Sequence, residues 1–166
     1  MFGLKERILI VDDQKDIREL IIMLFEDIEC IECFVAEDGE QALKILDEFA
    51  IHVIVTDIKM PNIDGVELCR TVRDKGFKGP IVVVTGEASG SQYRELCQLK
   101  INNVFLKPID LDFLKEELRK ILDNEILKDV ESEILGSVAS QLGSKEAYYK
   151  LSTKEKVKLL MQAVDA

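Results

Sequence analysis

Long apolar runs are missing from this chain. Spanning a bilayer takes roughly 20 consecutive apolar residues, and no stretch approaches that. The opening Met1-Phe2-Gly3-Leu4-Lys5 also lacks a secretory h-region. These two absences predict a soluble, cytoplasmic chain with no membrane partner. Basic charge is short as well: 22 Lys and Arg face 32 Asp and Glu, a net −10. That balance disfavours nonspecific binding of nucleic acid by the chain as a whole. The excess acid is uneven, about −9 over the first 123 residues and about −1 over 124–166. The four cysteines, Cys30, Cys33, Cys69 and Cys97, form no disulfide framework. Cys30 and Cys33 are a lone CxxC; with no second pair or nearby histidine it is no zinc set, and a redox pair is all it offers. No sustained internal repeat is present, which excludes a solenoid.

What is present builds a core. Hydrophobic residues make up 47% and charged ones 33%, a balance typical of a folded domain. Strand-like and helix-like patterns alternate. Arg7 to Val11, Ile31 to Val35, Val53 to Thr56, Pro80 to Thr85 and Val104 to Leu106 are short apolar or β-branched runs. Between the first two, Ile17, Leu20, Ile21, Leu24 and Phe25 recur at helical spacing. Similar stripes follow at Ala42-Leu43-Leu46-Phe49, Val66-Leu68-Cys69-Val72, Tyr93-Leu96-Cys97-Leu99 and Phe113-Leu114-Leu118-Ile121-Leu122. Five βα units predict an α/β fold, a doubly wound parallel sheet in the order 2-1-3-4-5. The Gly/Ser-rich segment Gly86 to Ser91 reads as a mobile loop.

Chemistry gathers where strands end. Asp12 and Asp13 follow the first strand, Asp57 the third, Thr85 closes the fourth and Lys107 follows the fifth. In a 2-1-3-4-5 sheet, strands one and three are neighbours, so three carboxylates converge at the carboxyl edge, where open α/β folds keep their ligand sites. Such a cluster repels itself unless a cation relieves it. A hard, oxygen-seeking ion, Mg²⁺ above all, suits the donors. Lys107 adds positive charge and Thr85 a hydroxyl, a set fitted to an anionic group of phosphate type.

Asp12-Asp13, the run DIKMPNIDG from Asp57 to Gly65, Val84-Thr85-Gly86 and Lys107-Pro108 together resemble the receiver domain of two-component response regulators, CheY-like proteins. The resemblance spans roughly residues 5–123. It implies that Asp57 accepts a phosphoryl group from a phosphohistidine on a sensor histidine kinase or histidine phosphotransfer protein. It further implies that Asp13 and Asp57 ligate Mg²⁺ directly, with Asp12 through water and the backbone carbonyl of Lys59. Thr85 would hydrogen-bond the phosphoryl group, Lys107 would pair with it, and the Lys107-Pro108 peptide would be cis. By the same resemblance the chain is a signalling switch rather than an enzyme, limited to its own phosphorylation and dephosphorylation, with a changed surface meeting a downstream protein or a second copy.

Two positions depart from that pattern. Val104 stands three residues before Lys107, where receivers usually carry an aromatic, and Phe105 falls one place along, on the opposite face of its strand. Gly86 follows Thr85 where Ala is usual. Lys59 and Glu87, two residues beyond Asp57 and Thr85, flank the expected phosphoryl site and are expected to pair across its mouth and hinder attacking water. Lys59 also argues against the rival reading of an Mg²⁺-dependent phosphohydrolase, which would want a general acid there. A phosphorylation-independent interaction module is argued against by the intact site set. His52, the single histidine, precedes a strand core and reads as structural.

Residues 1–123 thus read as a receiver domain and 124–166 as a helical C-terminal extension. Ile126, Leu127, Val130, Ile134 and Val138 keep helical spacing, and Ser152 with Glu155 forms a capping-box pattern. Leu151 to Leu160 faintly resembles the opening of a LuxR-type helix-turn-helix, but no recognition helix follows. The extension is expected to dimerise, to dock, or to begin a truncated output domain.

Overall fold

The computed structural model describes residues 6–26, 28 and 31–125. The chain divides by compactness between Leu122 and Asp123, and all described residues but 123–125 belong to the first unit. Cys30 and the helical patterns read beyond residue 125 lie outside the described residues.

Strands β1 (Glu6–Val11), β2 (Ile31–Ala36), β3 (Val53–Thr56), β4 (Ile81–Thr85) and β5 (Asn103–Leu106) alternate with helices α1 (Lys15–Met23), α2 (Gly39–Glu48), α3 (Gly65–Asp74) and α4 (Gly90–Gln98). A fifth helix, α5, covers residues 111–125. The strands form one parallel sheet in the order β2-β1-β3-β4-β5. This is the doubly wound α/β fold that the alternating pattern predicts.

The sheet is buried on both sides, and strand alternation divides the core. Leu9, Val11, Ile54, Ile81 and Val83 face one way, packing with Ala42, Val66, Leu68, Cys69 and Leu96. Ile8, Ile10, Val53, Val55, Val82 and Val84 face the other, packing with Ile21, Leu24, Phe25, Leu114 and Leu118. Helices α2, α3 and α4 therefore cover one face, while α1 and α5 cover the other. The apolar stripes supply the inward residues of these helices, although Leu20, Phe49, Tyr93, Cys97 and Phe113, read as part of them, are exposed.

Helix starts follow capping chemistry. Asp38 accepts from Gln41 N, Asp64 from Glu67 N and Asp110 from Phe113 N, at 2.8, 2.9 and 3.0 Å. The segment read as a loop from Gly86 to Ser91 is shorter than that reading. Ser89 and Gln92 form a capping box, so Gly90 and Ser91 open α4. The Gly/Ser composition obscured a start signal that the Ser-x-x-Gln spacing carries. Helix α1 is the exception, because Gln14 makes no side-chain cap.

Three points fix the loop between β3 and α3. Asn62 adopts φ 63°, and its amide donates to Asp38 Oδ2 at 2.6 Å. Gly65 N donates to Ile58 O at 2.8 Å. A Cβ on Gly65 would collide with the Asp57 carbonyl, so only glycine lets the helix start lie against the strand end. Gly65→Ala is expected to destabilise the fold by about 2 kcal/mol or more, since backbone cannot yield as a side chain can. Urea unfolding monitored by circular dichroism measures it.

Candidate functional site

The site lies at the carboxyl ends of β1, β3, β4 and β5. Parallel pairing sets this convergence: Val11 is level with Thr56 and Ala36, and Thr85 with Leu106. The residues that follow therefore emerge at one rim. Asp12, Asp57 and Thr85 are buried, with exposures of 2%, 5% and 0%, whereas Asp13 is exposed.

Lys107 ties the rim together. Its Nζ donates to Asp12 Oδ2 at 2.7 Å and to Asp57 Oδ2 at 2.8 Å. Burial alone would lower the ammonium pKa, but the hydrogen bonds and charges of Asp12 and Asp57 outweigh it and hold the pKa above the ordinary lysine range. Lys107 N also donates to Thr85 O at 2.7 Å, continuing the β4–β5 ladder. The Lys107-Pro108 peptide is cis, as the resemblance implies.

Asp57 is held by its own loop. Oδ1 accepts from Ile58 N at 2.5 Å and from Lys59 N at 3.2 Å, and Asp57 N donates to Val11 O at 2.9 Å. Asp12 Oδ1 accepts from Gln14 N at 2.9 Å. Burial raises the Asp12 pKa above the ordinary carboxylate range, with the Asp57 charge adding to it, although Lys107 and Gln14 pull the other way.

One oxygen from each of Asp12, Asp13 and Asp57 lies within 4.8 Å of the others. An all-carboxylate set with a solvent-facing member suits a hard dication that keeps some of its waters. In front lies a cleft of about 400 Å³ lined by Asp13, Gln14, Asp57, Lys59, Gly86, Glu87 and Lys107. Lys59 Nζ and Glu87 Oε2 pair at 2.6 Å, with both side chains exposed. The Lys59 ammonium holds the Glu87 carboxyl below its usual range. The pairing expected from their positions is present.

Thr85 is set back from this cleft. Its hydroxyl donates to Glu87 O at 3.1 Å, and Glu87 N approaches the same oxygen at 3.5 Å. Val104 belongs to the α2–α4 side of the core and Phe105 to the α1–α5 side. Phe105 meets Phe113 edge-on, with ring centroids 5.9 Å apart. His52 sits at the far end of β3, where Nδ1 accepts from Arg7 N at 2.8 Å, a structural bond as expected.

Sequence reasoning passed over Arg18. It is nearly buried, and its Nη1 donates to the main-chain carbonyls of Asp12 at 2.7 Å and Asp13 at 3.3 Å. The available signal was a charged residue one place from Ile17 within the inward stripe of α1.

Comparison with known proteins agrees with this geometry. The family model for the response regulator receiver domain matches residues 8–119. The chain is 37% identical over 119 residues to chemotaxis protein CheY of Pseudomonas aeruginosa, covering 70% of this chain and 96% of that protein. It is 33% identical over 111 residues to the sensor histidine kinase RcsC of Salmonella typhimurium, covering 67% of this chain but only 12% of the kinase. A CheY-like receiver domain structure from Methanospirillum hungatei superposes with a TM-score of 0.68 at 25% identity, covering 75% of this chain and 98% of that one. No helix among the described residues is long and apolar enough to cross a membrane.

The Asp12 shift gives a pH dependence with a definite sign. A carboxyl whose folded pKa lies above its unfolded value of 3.8 binds protons more readily when folded, so stability falls as pH rises through that window. In EDTA, Asp12→Asn should therefore raise Tm at neutral pH. The advantage should vanish below about pH 4, where wild-type Asp12 is itself protonated. Thermal unfolding across pH checks both halves.

Proposed function

This chain belongs to the response regulator receiver family of two-component signalling, and from that premise we propose that Asp57 is its phosphoacceptor. The observation that carries the reading is Asp57 itself, a buried carboxylate at a strand end, bonded to Lys107 at 2.8 Å and opening onto the acidic cleft. The donor is a phosphohistidine on a sensor kinase or phosphotransfer protein. A carboxylate oxygen of Asp57 attacks phosphorus; the new O–P bond forms as the N–P bond breaks, and the imidazole nitrogen leaves with its electron pair. Receiver domains are signalling domains, not enzymes in the ordinary sense, and this chain modifies only itself.

Asp12, Asp13 and Asp57, with the backbone carbonyl of Lys59, would hold Mg²⁺. When bound, the ion offsets charge on the transferring phosphoryl group. Lys107 supplies the protein's own positive charge at the same place. Acetyl phosphate with Mg²⁺ should add the mass of one phosphoryl group to the intact protein. Asp57→Asn or EDTA should abolish the addition, and persistence in either would refute the assignment.

Phosphorylation adds about −1.5 to −2 charges beside Lys107 and Thr85. Thr85 reaches a phosphoryl group by releasing Glu87 O, its present acceptor. Glu87 holds Lys59 through its carboxylate and Thr85 through its main-chain carbonyl, so the hydroxyl can be freed while the pair still spans the cleft mouth. A conformer that brings the donors to the new charge is then favoured. The Lys59–Glu87 pair across the mouth screens the acyl phosphate from water. Lys59→Ala should shorten the phosphoryl lifetime severalfold, measured as loss of label after removal of the donor; an unchanged lifetime removes the pair from this role.

Residues 1–123 form the receiver unit in this reading. Residues 124–166 carry association or output, by dimerisation, by docking, or as the start of a further domain. The changed surface meets a downstream protein or a second copy, and DNA is not its target.

A further inference from the structure

We infer that Arg18 is a positioning residue for the cation cradle, holding the main chain of Asp12 and Asp13 so that both carboxylates stay beside Asp57. The inference rests on the proposed Mg²⁺ site.

The argument starts from the missing cap. Helices α2, α3, α4 and α5 are each begun by a side chain that accepts a backbone N–H. Helix α1 starts without one, so the turn from Asp12 to Gln14 must be held otherwise. Asp12 N reaches Ala36 O at 3.2 Å, and Gln14 N reaches the Asp12 carboxylate. Asp13 is different. Among the described residues, the one hydrogen bond to it is from Arg18 to its carbonyl, at 3.3 Å.

Arg18 suits this work because a guanidinium fork can grip two acceptors at once. Nη1 takes both carbonyls, and Nη2 lies 3.5 Å from the exposed Glu37 just past β2. The side chain therefore joins α1, the β1 rim and the β2 rim. Toward the cradle it donates to the carbonyl oxygens of Asp12 and Asp13 and not to their carboxylates. Arg18 thus takes none of the cradle's acidic oxygens and clamps its backbone from behind. Burying a cation in such a place is costly unless its donors are used.

Partners that orient ligands typically change metal affinity by about 10–100-fold when removed. Arg18→Met keeps the apolar stem and deletes the fork. Mg²⁺ titration of the unphosphorylated full chain by calorimetry should show affinity weakened at least tenfold. Phosphorylation by acetyl phosphate should need correspondingly more Mg²⁺ yet approach the wild-type rate at saturation. Arg18→Lys, which can still donate to a carbonyl, should recover part of the affinity and serves if the methionine variant does not fold. Wild-type Mg²⁺ affinity in a folded Arg18→Met, or in Arg18→Lys if only that folds together with no loss on Glu37→Gln, would reduce Arg18 to a packing role and overturn the inference. Absence of Mg²⁺ binding by wild type would instead refute the cation site.

Discussion

The bridge from Lys107 to Asp12 and Asp57 is the constraint around which the rim is built. Two carboxylates, each less than one-tenth exposed, repel each other at such close range, and the Lys107 ammonium offsets that repulsion. Removing Lys107 would leave both buried carboxylates uncompensated, at a cost of about 3–5 kcal/mol. The same ammonium that makes the resting site tolerable stands where a transferred phosphoryl group would need it. Stability, and the phosphoryl chemistry proposed for Asp57, thus draw on one cation.

That bridge is possible because the sheet is parallel and apolar. Every strand delivers its carboxyl end to the same side, and the core residues of β1, β3 and β4 leave no room for the register to slip without turning polar groups inward. Behind the rim, close backbone contacts do the positioning. Gly65 lies against the Asp57 carbonyl, Asn62 ties the loop to the start of α2, and Arg18 holds the β1 turn. Rigid support at the back contrasts with the front, where Lys59 and Glu87 pair in solvent and exposed ion pairs contribute little.

This contrast bears on how a signal leaves the site. Receivers usually place an aromatic three residues before the lysine; here Val104 packs on the α2–α4 side. Phe105 is committed to Phe113 on the other side. The loop that carries Glu87 joins Thr85 to the cleft mouth through a backbone carbonyl and an ion pair.

Much of this was legible in the linear chain. Short continuous apolar runs and stripes spaced near 3.6 separate strands from helices, because a strand buried on both faces is apolar throughout while a helix repeats only its inward face. Asp12, Asp13, Asp57, Thr85 and Lys107 stand out because polar residues directly after apolar strands have one rim to occupy. Other features needed three dimensions. That Lys107 bonds Asp12 and Asp57, 95 and 50 residues away, depends on strand register. The retreat of the Thr85 hydroxyl onto Glu87 depends on a loop conformation. Arg18 looks like any helix-surface cation until the fold buries it against two carbonyls, and backbone acceptors carry no residue identity. Composition and spacing therefore determined the fold and the chemical inventory of the rim, while tertiary packing decided which groups touch, since hydrogen bonds act over a few ångströms and sequence separation says nothing about distance.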